Sequence, residues 1–136
     1  MPFVLDASIT AAWALSDEDH PDAELAQESL RSDSAIAPSL WWFEVRNALI
    51  QNERRSRIGK AETAAFLVAL LRLPITIEFG TEEEALLRLA RAHRLTVYDA
   101  AYLELAKRKG FSLATLDSDL IRVARAEGIP LLTAMK

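Results

Sequence analysis

A chain of 136 residues with 51% hydrophobic content is long enough to bury a core and too apolar to stay disordered. It has no cysteine, which excludes a disulfide framework and a thiolate metal site, and its two histidines, His20 and His93, lie too far apart for a zinc cage, so any metal must be held mainly by oxygen. A net charge of -4 and a pI near 5.2 argue against a broad basic nucleic-acid surface, yet four clustered carboxylates would carry that whole excess and leave a neutral remainder.

Phe3-Val4-Leu5 is a short apolar run ending in Asp6, and Ile9 to Leu15 reads as helix, so the chain is predicted to open strand then helix. No basic leader precedes an apolar stretch there. A second helix is predicted from about Asp22 to Leu30, after the His20-Pro21 break, and a short buried strand at Ala35-Ile36-Ala37 before Pro38. Ser39 is placed to cap a helix running through Trp42, Glu44, Asn47 and Leu49 towards Arg54, ended in the Gly59 region. Ala61 to Leu71 forms a further helix, apolar on most of its circumference in the second half, which puts it in the interior or at a subunit contact. Within it, Ala64 to Leu71 is the longest unbroken apolar run, far short of the roughly 18 residues of a membrane span. A soluble, cytoplasmic protein is expected.

Pro74 precedes a strand at Ile75-Thr76-Ile77. Thr81-Glu82-Glu83-Glu84 has the form of a capping box, and the helix it starts carries Leu86, Leu89, Ala90 and His93 in one stripe. Asp99 to Lys109 is the next helix, with Lys107, Arg108 and Lys109 in its last turn and Gly110 suited to the left-handed cap beyond. Phe111 to Leu116 is predicted as strand, Asp117 to Glu127 as helix closed by Gly128, and Pro130-Leu131-Leu132 as a last edge strand. This alternation points to an α/β fold with a mostly parallel sheet covered on both faces, and no repeat or linker divides residues 1–136.

In open α/β sheets the ligand site lies outside the carboxyl ends of the strands. Asp6 and Asp117 are predicted to follow strands directly, Asp99 opens a helix, and Glu44 stands in the early turns of another, so all four can face one edge of the sheet. Asn47 shares the helical face of Glu44, while Ser8 and Thr115 bring hydroxyls near Asp6 and Asp117. Four carboxylates in a small volume repel one another unless a cation occupies the site. Oxygen-only ligation selects Mg2+ or Mn2+, which orient a phosphodiester, activate water and stabilise the leaving oxygen, so the natural reaction is phosphodiester hydrolysis.

At these residues the chain resembles a known family. Val4-Leu5-Asp6-Ala7-Ser8, Phe43-Glu44-Val45-Arg46-Asn47-Ala48-Leu49, Tyr98-Asp99-Ala100-Ala101-Tyr102-Leu103 and Ala114-Thr115-Leu116-Asp117 look like the four motifs of PIN-domain nucleases, in the same order and spacing, and the likeness is nearest to VapC toxins. The resemblance implies a three-layer α/β/α fold, Mg2+-dependent endoribonuclease activity on RNA, a homodimer and silencing by a cognate VapB-like antitoxin. It carries metal-binding and catalytic roles onto Asp6, Glu44, Asp99 and Asp117, with Asp119 open as a sharer of the fourth role.

Other readings stand beside this one. Asp117, Ser118 or Asp119 can cap a helix, Asp99 can serve the same dipole, and Glu44 can be merely exposed. Arg46, Arg54, Arg55, Arg57 and Lys60 read more readily as a solvated helix face than as an RNA guide, since Glu53 and Glu62 interrupt them. Trp13, Trp41 and Trp42 suit core packing, although Trp41 and Trp42, about 100° apart on a helix, cannot both point inward. A phosphatase using Asp6 as nucleophile would need an acid two residues on, where Ser8 stands. The non-enzymatic alternative is an inactive PIN-like binding module for protein or RNA.

Overall fold

The computed structural model describes residues 1–15 and 19–134. Four short strands, β1 (Phe3–Leu5), β2 (Ala35–Pro38), β3 (Ile75–Glu78) and β4 (Ser112–Ala114), form a sheet in the order β3-β2-β1-β4 with every pairing parallel. Phe3 lies opposite both Ala35 and Ser112, and Val4 opposite Ile36 and Leu113. β1 and β2 are buried along their whole length, as strands must be when helices cover both faces, whereas β3 at the edge is only part-buried.

Seven helices are found among the described residues: α1 (Ala7–Ala14), α2 (Pro21–Ser29), α3 (Leu40–Arg54), α4 (Lys60–Leu70), α5 (Glu83–His93), α6 (Val97–Lys109) and α7 (Ser118–Ala126). The architecture is three-layered α/β/α. α6 packs on β1, β2 and β4 and is flanked by α5 and α7, while α1 gathers α2 and α3 into a second helical group. α6 is the central helix, with Ala100, Tyr102, Leu103, Leu105 and Ala106 all buried. Its buried Glu104 is held by Arg108, whose Nε donates to Oε2 at 2.7 Å. Beyond α7, Glu127 accepts hydrogen bonds from Arg88 and Lys107 and contacts His93 Nε2 at 2.7 Å, joining α5, α6 and the end of α7. Those three partners hold its carboxyl well below the ordinary range, the Arg88 hydrogen bond contributing most.

Several local expectations are corrected. β4 stops at Ala114, three residues before Asp117, and the last edge strand shrinks to a single bridge between Leu113 and Leu131. The segment around that bridge still lies along β4: Leu113 N–H donates to Pro130 O and Leu132 N–H to Leu113 O. Asp22 Oδ1 then accepts from Thr133 Oγ1 and the Ala134 amide. α6 begins two residues before Asp99, capped by Thr96, whose Oγ1 accepts from the Asp99 amide at 3.1 Å. Glu82, not Thr81, caps α5, and Ser39 precedes α3 without a side-chain cap bond. α4 is apolar yet largely exposed, with Val68 and the following Leu71 at 56% and 82%, so its composition does not reflect burial within this chain. Trp13 and Trp41 bond inward, to Ala23 O and Thr10 Oγ1, and Trp42 faces out. No helix among the described residues is long and apolar enough to cross a membrane.

Candidate active site

The strand order reverses at β1: the chain passes from β1 to β2 and β3 on one side and returns to β4 on the other. Such a switch leaves a crevice beyond the carboxyl end of the central strand, which is where Asp6 stands, directly after Leu5. Asp6 occupies the N-cap position of α1 but makes no N-cap side-chain bond. Its Oδ2 instead accepts from Ser8 Oγ at 2.6 Å and Thr115 Oγ1 at 2.7 Å. The same hydroxyls bind the loop after β4, Ser8 accepting from the Leu116 amide and Thr115 from the Asp117 amide, so the two chain segments are fastened around one carboxylate.

Asp6, Glu44, Asp99 and Asp117 all line one open cleft of about 260 Å3, together with Ser8 and Asn47. α3 presents Glu44, Asn47, Ala48 and Gln51 to it at helical spacing and turns Trp41, Val45 and Leu49 to the core. Asp99 enters from the first turn of α6. Asp117 caps α7 through Oδ1, which accepts from the Asp119 and Leu120 amides, so the capping use and the cleft position coexist in one residue. Asp119 is exposed and pairs with Arg122 at 3.4 Å. A larger surface hollow beside α2, about 500 Å3, is lined by Glu24, Gln27 and Arg31 among others and holds none of the four acids.

Burial first, and neighbouring negative charge second, disfavour ionisation here. Burial pushes the Asp6 carboxyl up against the lowering effect of its two hydroxyl partners. Glu44 is raised by burial, opposed by a Tyr102 hydrogen bond, and raised further by Asp6, Asp99 and Asp117. Asp99 is raised by burial and then by Asp117, Asp6 and Asp119. The donor set is therefore oxygen-only and self-repelling, which fits a hard divalent cation. Among the described residues the acids are spread around the cleft, and no three are drawn together into a chelating group.

Tyr102 is the residue that reading the sequence misses. Its hydroxyl donates to Glu44 Oε1 at 2.6 Å from a buried ring, and burial, followed by the Asp6 charge and the Glu44 bond, raises its own pKa far out of the working range. It is thus a permanent donor that holds Glu44. The available signal is its position three residues after Asp99, on the same side of α6.

A family model described as PIN domain matches residues 3–126. Ribonuclease VapC3 of Pyrobaculum aerophilum is 33% identical over 123 residues, covering 88% of this chain and 92% of the relative. Among solved structures, PAE2754 of Pyrobaculum aerophilum superposes with a TM-score of 0.70 at 23% identity, over 90% of this chain and 84% of that one. VapC20 of Mycobacterium tuberculosis, described as a sarcin-ricin loop cleaving toxin, gives 0.63 at 16% identity, over 96% and 98%. The two structural likenesses speak to the fold, and the family match over nearly the whole chain speaks to descent: this chain belongs to the PIN domain family, with a VapC ribonuclease among its relatives.

Proposed function

We propose that residues 1–136 are a single VapC-type nuclease domain, a divalent-metal-dependent endoribonuclease acting as the toxin of a toxin–antitoxin pair. The observation that carries this is the convergence of Asp6, Glu44, Asp99 and Asp117, from four separate elements, on one cleft beyond the carboxyl ends of a parallel sheet. These four residues would hold the ion, Mg2+ or Mn2+ by the chemistry of an oxygen-only donor set. When bound, the ion supplies charge neutralisation at the phosphodiester and activation of the attacking water. The chain contributes positioning: Ser8 and Thr115 fix the Asp6 carboxylate, and Tyr102 fixes that of Glu44. A VapB-like antitoxin and a second copy are the expected partners, and exposed Val68, Leu71 and Phe79 offer apolar surface to one of them. The place of action on this reading is the cytoplasm.

The direct test incubates the purified chain with total RNA in Mg2+, Mn2+ or EDTA and maps the new ends. Discrete cleavage that needs the divalent ion is the expected result, and intact RNA under all three conditions would reject the proposal. Tyr102→Phe is expected to keep the fold and lower the rate by about tenfold, as loss of a carboxylate-orienting partner does at metal sites. A rate unchanged by that substitution would remove Tyr102 from the site.

A further inference from the structure

Two hydrogen bonds in the core lead from α3 to the backbone of Asp6, and the proposed chemistry makes no use of them. The Trp41 indole Nε1 donates to Thr10 Oγ1 at 2.9 Å, and Thr10 Oγ1 donates in turn to Asp6 O at 3.2 Å. All three residues are buried. An indole nitrogen can only donate, so the Thr10 hydroxyl accepts from it and keeps its own proton for the Asp6 carbonyl, which gives the relay a single direction. Both ends lie close to cleft acids along the chain. Trp41 stands three residues before Glu44, one turn of α3 away, and the carbonyl at the other end is that of Asp6 itself.

A tryptophan in the interior ordinarily finds some acceptor for its N–H. Trp13 does so too, donating to Ala23 O at 2.8 Å, but that bond joins α1 to α2, which supplies no residue to the cleft. The Trp41 bond differs in what it fixes. Ser39 precedes α3 without a side-chain cap bond, so no capping side chain holds the turn that leads to Glu44. Apolar packing draws α1 and α3 together, but it is non-directional and tolerates small slides and rotations. A buried relay of two hydrogen bonds does not, because stretching it leaves polar atoms unsatisfied away from water. Glu44 is thus fixed from α6 through its side chain, by the Tyr102 hydroxyl, and from α1 through the placing of its helix.

We infer that Trp41 is a positioning residue: its indole N–H, acting through the Thr10 hydroxyl, sets where the Glu44 carboxylate stands relative to that of Asp6 and so governs how tightly a divalent ion is held between them. The inference rests on the metal-dependent reading above and adds a residue outside the cleft on which that reading's ion affinity depends.

The test uses the full chain and Mn2+ alone, with binding read in the absence of RNA from loss of the free-ion electron paramagnetic resonance signal, and folding read from melts in EDTA. Thr10→Val keeps the side-chain shape and removes the hydroxyl, whereas Trp41→Phe removes the donor. Each is expected to weaken Mn2+ binding about tenfold. The double variant should bind no more weakly than the worse of the two, because either change alone breaks the relay. Thr10→Ser, which retains the hydroxyl, should bind as the parent does. So should Trp13→Phe, which gives up the comparable bond to Ala23 O, whatever it costs in melting temperature. In cleavage assays the loss should appear as a higher Mn2+ requirement, with KM for RNA unmoved. Mn2+ affinity unchanged in folded Thr10→Val, or in Trp41→Phe should the valine variant not fold, would overturn the inference. Losses that add in the double variant would do the same, and equal weakening in Trp13→Phe would reduce the effect to general packing. A parent that binds no Mn2+ would defeat the metal-dependent reading and this inference with it, whereas a parent and variants that all bind alike and cut RNA would defeat this inference alone.

Discussion

Asp99→Asn should lower divalent-dependent RNA cleavage by on the order of 10²–10³-fold and leave the ion-free protein at least as stable as the parent. The two halves of this expectation have one cause. Asp99 is pushed towards its neutral form by burial and by the charges of Asp117, Asp6 and Asp119, so its ionised carboxylate is a burden on the empty fold and an asset only when a cation is present. Asparagine has nearly the same shape and removes the charge. The capping bond from the Asp99 amide to Thr96 belongs to the backbone and survives the change. Cleavage rates in saturating Mn2+ and thermal melts in EDTA measure the two effects separately. A melting temperature several degrees below the parent would make Asp99 a structural residue. If the chain arrests growth when expressed without a partner, the same substitution should relieve the arrest; arrest that persisted would mean toxicity by some route other than cleavage.

Stability of the ion-free protein is expected to rise as pH is lowered from neutrality towards the ordinary carboxylate range, and saturating Mn2+ to reverse that trend. Asp6, Glu44 and Asp99 all have folded-state pKa values raised above their ordinary ones, burial being the largest cause in each. Between the ordinary value, about 4, and the raised folded one, the native state binds more protons than the unfolded chain, so stability falls as pH climbs through that window and levels off above it. Glu127 has the opposite sign. Its depressed pKa gives a contribution that is complete above the ordinary glutamate value and is lost as pH drops towards its folded value, so the curve should turn over at the acid end. A bound ion requires the carboxylates deprotonated, which makes its stabilisation greatest at neutral pH. Melting curves across pH in EDTA and in Mn2+ test this, and an EDTA profile that fell steadily on acidification from neutrality would contradict it.

How legible these features are in the sequence depends on how local their causes are. Asp6 can be placed because a three-residue apolar run ends beside it, and Glu44 because α3 alternates core and cleft residues at a regular helical period. Asp117 is less legible: the apolar pattern runs on to Leu116, but the strand ends at Ala114 because its partner strand β1, far away in the chain, ends opposite it at Leu5. Tyr102 lies hidden for the same reason, since its partner Glu44 is 58 residues distant and no periodicity encodes the pair. The Glu127 cluster is likewise assembled from three helices. α4 marks a different limit, for apolar composition shows that a surface wants covering and not whether this chain covers it.

The stretch running along β4 gives the sheet two unlike flanks. On that side Pro130 O and the Leu132 amide occupy both backbone groups of Leu113, and Asp22 anchors the chain where it leaves. β3 has no such cover among the described strands. Any visiting peptide that extends the sheet by adding a rung must therefore do so at Ile75–Glu78, so solvent protection of amides on that flank would register lateral strand capture, while the opposite flank would stay silent.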